Sequence, residues 1–446
     1  MAKSPRINRR LRRSPLLGQL NSRRIHHLIT SRYVHPPKNL PISIITHKKQ
    51  EQFLGFRFWD LPSEIRSDIL SRLPVWSIFC CRCVSKAFRN SVTNSLFIQL
   101  FIQRPPPTSF IILSDLQNLF QIDSCDAPSI HISSAARGLL ENYTGRWVKL
   151  GCSTKLVNSC NGFVCLYNFR RVIIPKVHQY WVCNPVLGEF VLIPPLPSTD
   201  HDYQIAYYFG FSPKTKEYKI LHLGLGLGLG SAKSRMAWVY TIGKNSSWKV
   251  IEDVPSSDPR RPNFDPFLNG SVHWISNSSA SSELIYSFDF DKDEFQPVPP
   301  PIHLDVKYMN KISWINVLVL KGCLCLCYVF EGNVFEAWVM NEYGKKESWA
   351  KRFTIDIKFY CGLELSDHKQ KPIGFTNCGD MALQDCPSGS LFCYSPEKKG
   401  FKEININGIS SNFQVVPHSP SFASLRDVIQ GTQLKVEIIH ASTQTP

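Results

Sequence analysis

The residues of this chain best suited to chemistry fall at spacings that chemistry rarely uses. Cys323, Cys325 and Cys327 alternate within KGCLCLCYV, so a strand would carry all three thiols on one face. Tetrahedral zinc sites usually separate paired ligands by about two to four residues around a turn, so these thiols read as small core residues. Asp289, Asp291, Asp293 and Glu294 have the composition of a calcium loop but lack the glycine and the final glutamate of an EF-hand. They read as a polar hairpin turn. His273, beside Trp274, reads as a core or rim histidine of a strand. Residues 223–230 are four Leu-Gly repeats. Lys233 stands past Gly230 and not directly after a glycine, as a phosphate-binding loop requires, and no helix follows to receive a dinucleotide. The run reads as a low-complexity insertion between strands. Neither a Gly-x-Ser-x-Gly elbow nor a His-Glu-x-x-His pair occurs. The expectation is a chain with no catalytic residues, no metal ligands and no cofactor.

The elements around these residues are of two kinds. Residues 61–97 are helical. Leu61, Ile65, Ile69 and Leu73 recur at four-residue steps with Leu70 beside them, and Glu64, Arg66, Asp68 and Arg72 cover the other face. Pro62 suits a first turn, and Pro74 stops this helix and can start the next. A second helix over 75–83 is apolar on nearly all sides. A third starts near Ser85, a suitable N-cap, with Val84, Phe88 and Val92 on one side. Helices this short are marginal alone, and a unit of some 45 residues is near the lower limit for independent stability. The surplus apolar surface needs a neighbour, in this chain or in another protein.

The order of these residues resembles the F-box of plant F-box proteins. Leu61-Pro62, Ile69-Leu70, Arg72-Leu73-Pro74-Val75, Arg82-Cys83-Val84-Ser85-Lys86 and Phe88 carry the likeness. Phe88 stands where plant members usually have Trp, and Cys80-Cys81 replace bulkier or basic residues. The resemblance implies docking to a Skp-type adaptor, and through it to the cullin and RING subunits of a ubiquitin ligase. Leu61, Pro62, Ile65, Ile69, Leu70 and Leu73 are then the expected adaptor contacts, with Pro74, Val84 and Phe88 shaping the packing.

From about Leu156 helical stripes give way to short apolar runs between Gly, Pro, Asn and Asp turns, the texture of an all-β domain. Strand-turn-strand units centred on Asn184, Gly243, Asp291, Tyr343 and Pro396 recur at intervals of about 50 residues, a kelch-like period for a β-propeller. FGFSPKTKEYKILHL reads as an additional strand pair that lengthens the first interval. NSCNGFVCL, the Asn184-Pro185 turn and FGFSPKTKEYKIL resemble the F-box-associated domain of the same plant proteins. That likeness implies a module that captures a target protein. Loops at 198–204, 256–263 and 277–282 are its candidate contacts.

The fold expected is thus a small all-α F-box of three short helices followed by a mostly-β, propeller-like domain. The boundaries expected are a basic, disordered leader over 1–52, the F-box over 53–101, a connecting segment with possible first strands over 102–150, the propeller-like domain over 151–410, and a partly ordered tail over 411–446. Formal net charge is +16, but 12 of the 51 Lys and Arg and none of the 35 Asp and Glu lie in residues 1–50. The charge therefore says little about the main domain's ligand. The leader has the composition of a transit peptide or of a nuclear-import or nucleic-acid-attracting patch. Its plainest reading is a disordered extension, with the protein in the cytoplasm, the nucleus or both. Residues 312–330 carry one charge, Lys321, yet Lys321-Gly322 splits them into two strands and not a membrane span. Fifteen cysteines in an intracellular chain suggest reduced thiols. A propeller enzyme, or nucleic-acid binding through the leader, are the competing functions.

Overall fold

The structure, a computed structural model, describes residues 58–103, 109–114, 119–122, 130–133 and 154–438. From the last stretch it omits 171–176, 197–202, 228–232, 244–245, 256–265, 277–282, 305, 333, 357–369, 377–378, 386–388 and 405–412. The leader over 1–52 lies outside the described residues.

Four short α-helices come first: α1 (Ser63–Ser71), α2 (Val75–Val84), α3 (Lys86–Ser91) and α4 (Ser95–Gln103). Pro62 and Pro74 are the N-caps of α1 and α2, the positions where a missing N–H is harmless. Ser85 caps α3 by accepting a hydrogen bond from the Phe88 N–H at 3.2 Å. Helix α4 goes beyond the three expected. Asn94 starts it by accepting from the Phe97 N–H at 2.7 Å, and Phe97 and Phe101 anchor it in the interior.

The rest is strand. Blade 1 begins with β1 (Ser109–Ser114), β2 (Leu119–Ile122) and β3 (Ile130–Ser133). Blade 2 is β4 (Lys155–Cys160), β5 (Phe163–Arg170), β6 (Val177–Asn184) and β7 (Glu189–Ile193). Blade 3 is β8 (Tyr203–Ser212), β9 (Glu217–Leu227), β10 (Lys233–Ile242) and β11 (Trp248–Ile251). Blade 4 is β12 (Phe267–Leu268), β13 (Ser271–Ile275), β14 (Ile285–Asp289) and β15 (Glu294–Val298), and is followed by a one-turn helix α5 (Val306–Met309). Blade 5 is β16 (Ile312–Leu320), β17 (Cys323–Phe330), β18 (Val334–Met340) and β19 (Trp349–Asp356). Blade 6 is β20 (Gln370–Phe375), β21 (Met381–Asp385), β22 (Ser390–Ser395) and β23 (Gly400–Ile404). The chain then returns: β24 (Phe413–His418) pairs with β1 to complete blade 1, helix α6 (Leu425–Val428) follows, and β25 (Val436–Ile438) adds a fifth strand to blade 2.

Six antiparallel sheets result, and their inner strands neighbour one another in a closed ring: β24, β4, β8, β13, β16, β20 and back to β24. The connecting segment and the tail therefore both supply propeller strands. FGFSPKTKEYKIL is β8 and β9, the two inner strands of blade 3 and not an extra pair.

Strand periodicity builds the ring. In β17, Cys325, Cys327 and Val329 point toward Phe375, Met381 and Leu383 of blade 6. Leu324, Leu326 and Tyr328 point the other way, into a cluster with Ile275 and Ile285 of blade 4. Alternate residues of one strand thus serve two blade interfaces, so neither face of a blade meets water. Each of the six interfaces has its own buried cluster. Two-residue turns with positive φ at both positions, Asn161-Gly162, Asn269-Gly270 and Lys321-Gly322, join the first two strands of blades 2, 4 and 5. This is the type I′ geometry that matches strand twist.

The chemistry-bearing residues are absorbed by this packing. Cys325 and Cys327 are fully buried with their sulfurs 3.6 Å apart. Asp291 accepts from the Ser212 hydroxyl and, at 2.9 Å, from the Lys214 N–H, while Asp293 pairs with Lys219 at 2.7 Å, so the acidic turn of blade 4 ties blade 3. Nine described cysteines are free thiols; Cys393 is disulfide-bonded, a departure from the all-reduced expectation. Among the described residues no helix is long and apolar enough to cross a membrane, and residues 312–330 form β16 and β17.

Candidate partner-docking site

The first helices have two apolar faces, and the structure assigns them different tasks. One face is internal. Leu70, Val75, Ile78, Val92, Phe97 and Phe101 pack with Val186 of blade 2 and with Phe422 after β24. Leu70 retains 2% of its exposure, so its side chain is not on the outer surface and does not stand with the expected adaptor contacts. Its neighbour Ile69 lies about 100° further round the helix, which turns it outward.

The other face is open. Ile65 is 47% exposed, Ile69 39%, Trp59 40% and Val84 58%. Pro62 and Pro74 are also exposed, while Leu61 and Leu73 are half-buried at the margin. Ile65 and Ile69 lie one turn apart on α1, so they form a short apolar ridge. Phe88 does not share that ridge. It stacks on Phe58 at 5.5 Å and meets Trp59 edge-on at 4.8 Å.

Trp59 and Phe58 were not among the expected contacts, although an aromatic pair directly before Leu61-Pro62 was a visible signal. They sit on the three-residue turn Phe58–Asp60. Arg66 fixes that turn to α1. Its guanidinium donates to the carbonyls of Trp59 at 2.9 Å and Leu61 at 2.8 Å and lies 5.4 Å from the Trp59 ring centroid. The charge on this surface is otherwise local: Arg72 pairs with Asp68 one turn away at 2.9 Å. The site is therefore a set of apolar side chains beside two arginines held within the helical unit, with the means to bury against a partner.

The propeller meets the helices at one end. Val186 and Leu187, in the turn between β6 and β7, touch the helical cluster. In an antiparallel blade, the turn between the first two strands and the turn between the last two lie at the same end. In blades 2 to 6 the turns between first and second strands and between third and fourth strands therefore lie at the helical end, and the turns between second and third strands and the connections between blades lie at the opposite end. The candidate recognition loops 198–204, 256–263 and 277–282 all belong to that opposite set by their flanking strands; most of their residues lie outside the described ones.

Comparison with known proteins agrees with both halves. Residues 58–100 match the F-box domain and residues 110–429 match the F-box associated beta propeller domain. F-box protein At3g07870 of Arabidopsis thaliana is 24% identical over 400 residues, spanning 80% of this chain and 90% of that protein. F-box protein CPR1 of the same plant is 26% identical over 380 residues, spanning 79% and 86%. Among solved structures, the α-L-arabinanase of Penicillium chrysogenum aligns with a TM-score of 0.37 at 12% identity over 57% of this chain and 81% of that one, too slight a likeness to carry a functional argument.

Proposed function

Because the chain belongs to the F-box proteins that carry an F-box associated β-propeller domain, we propose that it is the substrate-recognition subunit of a Skp–cullin–F-box ubiquitin ligase. Its role is non-catalytic. The F-box docks a Skp-type adaptor, the adaptor connects it to cullin and RING subunits, and the propeller holds a target protein. Such a subunit accelerates transfer through proximity, by raising the target's local concentration at the charged enzyme.

The observation that carries this reading is the open ridge of Ile65 and Ile69 beside Trp59, on helices whose opposite face is already used by the propeller. Burying the exposed remainder of each isoleucine, less than half of its surface, would contribute about 1 kcal/mol. A few such anchors usually dominate an interface. Pro62, Pro74 and Val84 are exposed and Leu61 and Leu73 half-buried on the same helical unit, and Phe88 meets the Trp59 ring edge-on. Target capture belongs with the long connections at the far end of the propeller, where it does not compete with the adaptor. Residence in the cytoplasm or nucleus goes with this reading, since the target must be met there.

The test is co-purification of the full chain with a Skp-type adaptor. Ile65→Asp with Ile69→Asp should abolish it while the propeller's unfolding midpoint stays unchanged. Undiminished co-purification would remove the assignment.

A further inference from the structure

The strand that closes the propeller runs directly into the interior of the F-box. Strand β24 pairs with β1 from Ser109↔His418 to Ser114↔Phe413 and is the innermost strand of blade 1. Just beyond its end, Phe422 keeps 1% of its exposure inside the helical cluster. Its ring meets Phe97 at 5.8 Å and Phe101 at 5.5 Å, both near-perpendicular, the arrangement aromatic quadrupoles favour.

The backbone on either side of Phe422 belongs to blade 2. The Asn184 side-chain amide donates to the Ser421 carbonyl at 3.0 Å and the Ala423 carbonyl at 2.7 Å. The Glu189 carboxylate accepts from the Ser424 hydroxyl at 2.9 Å and the Leu425 N–H at 2.8 Å. Gly162 leaves the room this needs, since a Cβ there would stand 2.0 Å from the Ser421 Cβ. Leu425 and Ile429 then enter the cluster between blades 2 and 3. One side chain of this segment is thus given to the F-box while its backbone and its next apolar residues are held by the propeller.

We propose that residues 419–429 are a strap that fixes the bearing of the F-box on the propeller, with Phe422 as its positioning residue. Besides the strap, Val186 and Leu187 are the propeller residues in the helical cluster among the described residues, and both lie on a single turn. A contact of that kind permits rocking; Phe422, a second anchor brought in by the chain from β24 of blade 1 and held by Asn184 and Glu189 on either side of that same turn, restrains it. The strap follows the last strand of the ring, so the bearing is set only once the propeller has closed. A partly made chain has an F-box without a fixed direction. The consequence for ubiquitin transfer rests on the function proposed above; the mechanical role does not.

The experiment uses the full chain bound to its adaptor, with Cys80→Ser and Cys83→Ser, and spin labels at Arg89→Cys in the F-box and Glu347→Cys in blade 5. Phe422→Ala should leave adaptor co-purification and the propeller's unfolding midpoint in place but broaden the label-to-label distance distribution. It should also raise amide exchange in α4 by about tenfold or more. Phe422→Leu should restore most of the narrow distribution. In the reconstituted ligase, the chain's own modified lysines should spread over more positions in Phe422→Ala than in the parent. An unchanged distance distribution with Phe422→Ala overturns the strap. Should that variant not fold, exchange in the parent chain decides: α4 and residues 421–429 opening together supports the strap, and α4 opening well before them overturns it. Failure of the parent to bind any adaptor would instead strike the proposed function.

Discussion

Asn158 and Phe209 exchange two hydrogen bonds across the interface of blades 2 and 3: the Asn158 amide donates to the Phe209 carbonyl at 2.7 Å, and the Phe209 N–H donates to the Asn158 side-chain carbonyl at 3.0 Å. A side chain at the bulge of β4 thereby acts as a piece of strand toward β8. Gln414 does the same one interface earlier, accepting from the Leu156 N–H at 2.8 Å. Inner strands of neighbouring blades are not directly paired, so these amides satisfy backbone groups that the sheets leave over.

Asn158→Ala should therefore be costly for so small a change. It strands a buried N–H and a buried carbonyl, each worth about 1–3 kcal/mol when left unmet. The expected result is a lowered unfolding midpoint with adaptor co-purification retained. A midpoint equal to the parent's would show that water replaces the amide at no cost.

Ile69 and Leu70 should separate binding from stability, although they are adjacent. Leu70→Ala removes packing inside the helical cluster and should cost about 2–5 kcal/mol. Ile69→Ala, at an exposed position, should fall within about 0.5 kcal/mol of the parent in stability and still weaken adaptor capture. Denaturant melts followed on the F-box helices, with a pull-down in parallel, distinguish the two.

Acid should loosen the interface of blades 4 and 5. The Pro266 carbonyl can only accept, so His273 Nδ1 carries the proton toward it at 3.3 Å and Nε2 accepts from the Tyr343 hydroxyl at 2.6 Å. Burial pushes this imidazole down to about 4. With the folded value below the unfolded one, the stabilisation is complete above about pH 6.5 and is lost as pH falls toward 4, by roughly 1.4 kcal/mol per pH unit. Burial also lowers His222 and His418, so they act in the same direction. His273→Gln should be less stable than the parent at pH 7 and lose less between pH 7 and pH 5. Parallel pH profiles for the two proteins would contradict this.

Thiol labelling of the native protein should be selective. Among the described free cysteines Cys80 and Cys83 are exposed, whereas burial pushes Cys183 up to about 12 and Cys160 and Cys165 well above the usual thiol range. Brief treatment with an alkylating reagent should modify Cys80 and Cys83 before the other described cysteines, as read by peptide mass. Early modification of Cys325 or Cys327 would mean that the interface of blades 5 and 6 opens.

Local signals in the sequence located much of this architecture. Pro62 and Pro74 mark helix starts, Ser85 caps α3, and the Asn-Gly and Lys-Gly pairs mark turns, because each acts within a few residues. The division between Ile69 and Leu70 was hidden, since both sides of α1 are apolar and only the docked propeller tells them apart. The completion of blade 1 by β24 was hidden for a different reason, although strands were expected within 102–150. Its strands β1 and β24 lie some three hundred residues apart, and a pairing of that range leaves no periodicity for a short window to register. The task of Phe422 was likewise unreadable, as its partners are Phe97 and Phe101 at the other end of the chain.

The fifth strand of blade 2 has a bearing on solubility. A sheet's outer strand exposes a row of free N–H and C=O groups that a second chain can pair with, and Lys, Arg or Pro discourage this. Outer strands β11, β15, β19 and β23 each carry one or more: Lys249, Pro297, Lys351 with Arg352, and Lys402. Strand β7 reads Glu-Phe-Val-Leu-Ile and has no such gatekeeper past Glu189. It is this edge that β25 covers, matching Val436 to Val191 and Ile438 to Glu189. Strand β25 thus serves as a built-in guard against edge-to-edge aggregation, at an edge whose own residues offer no defence.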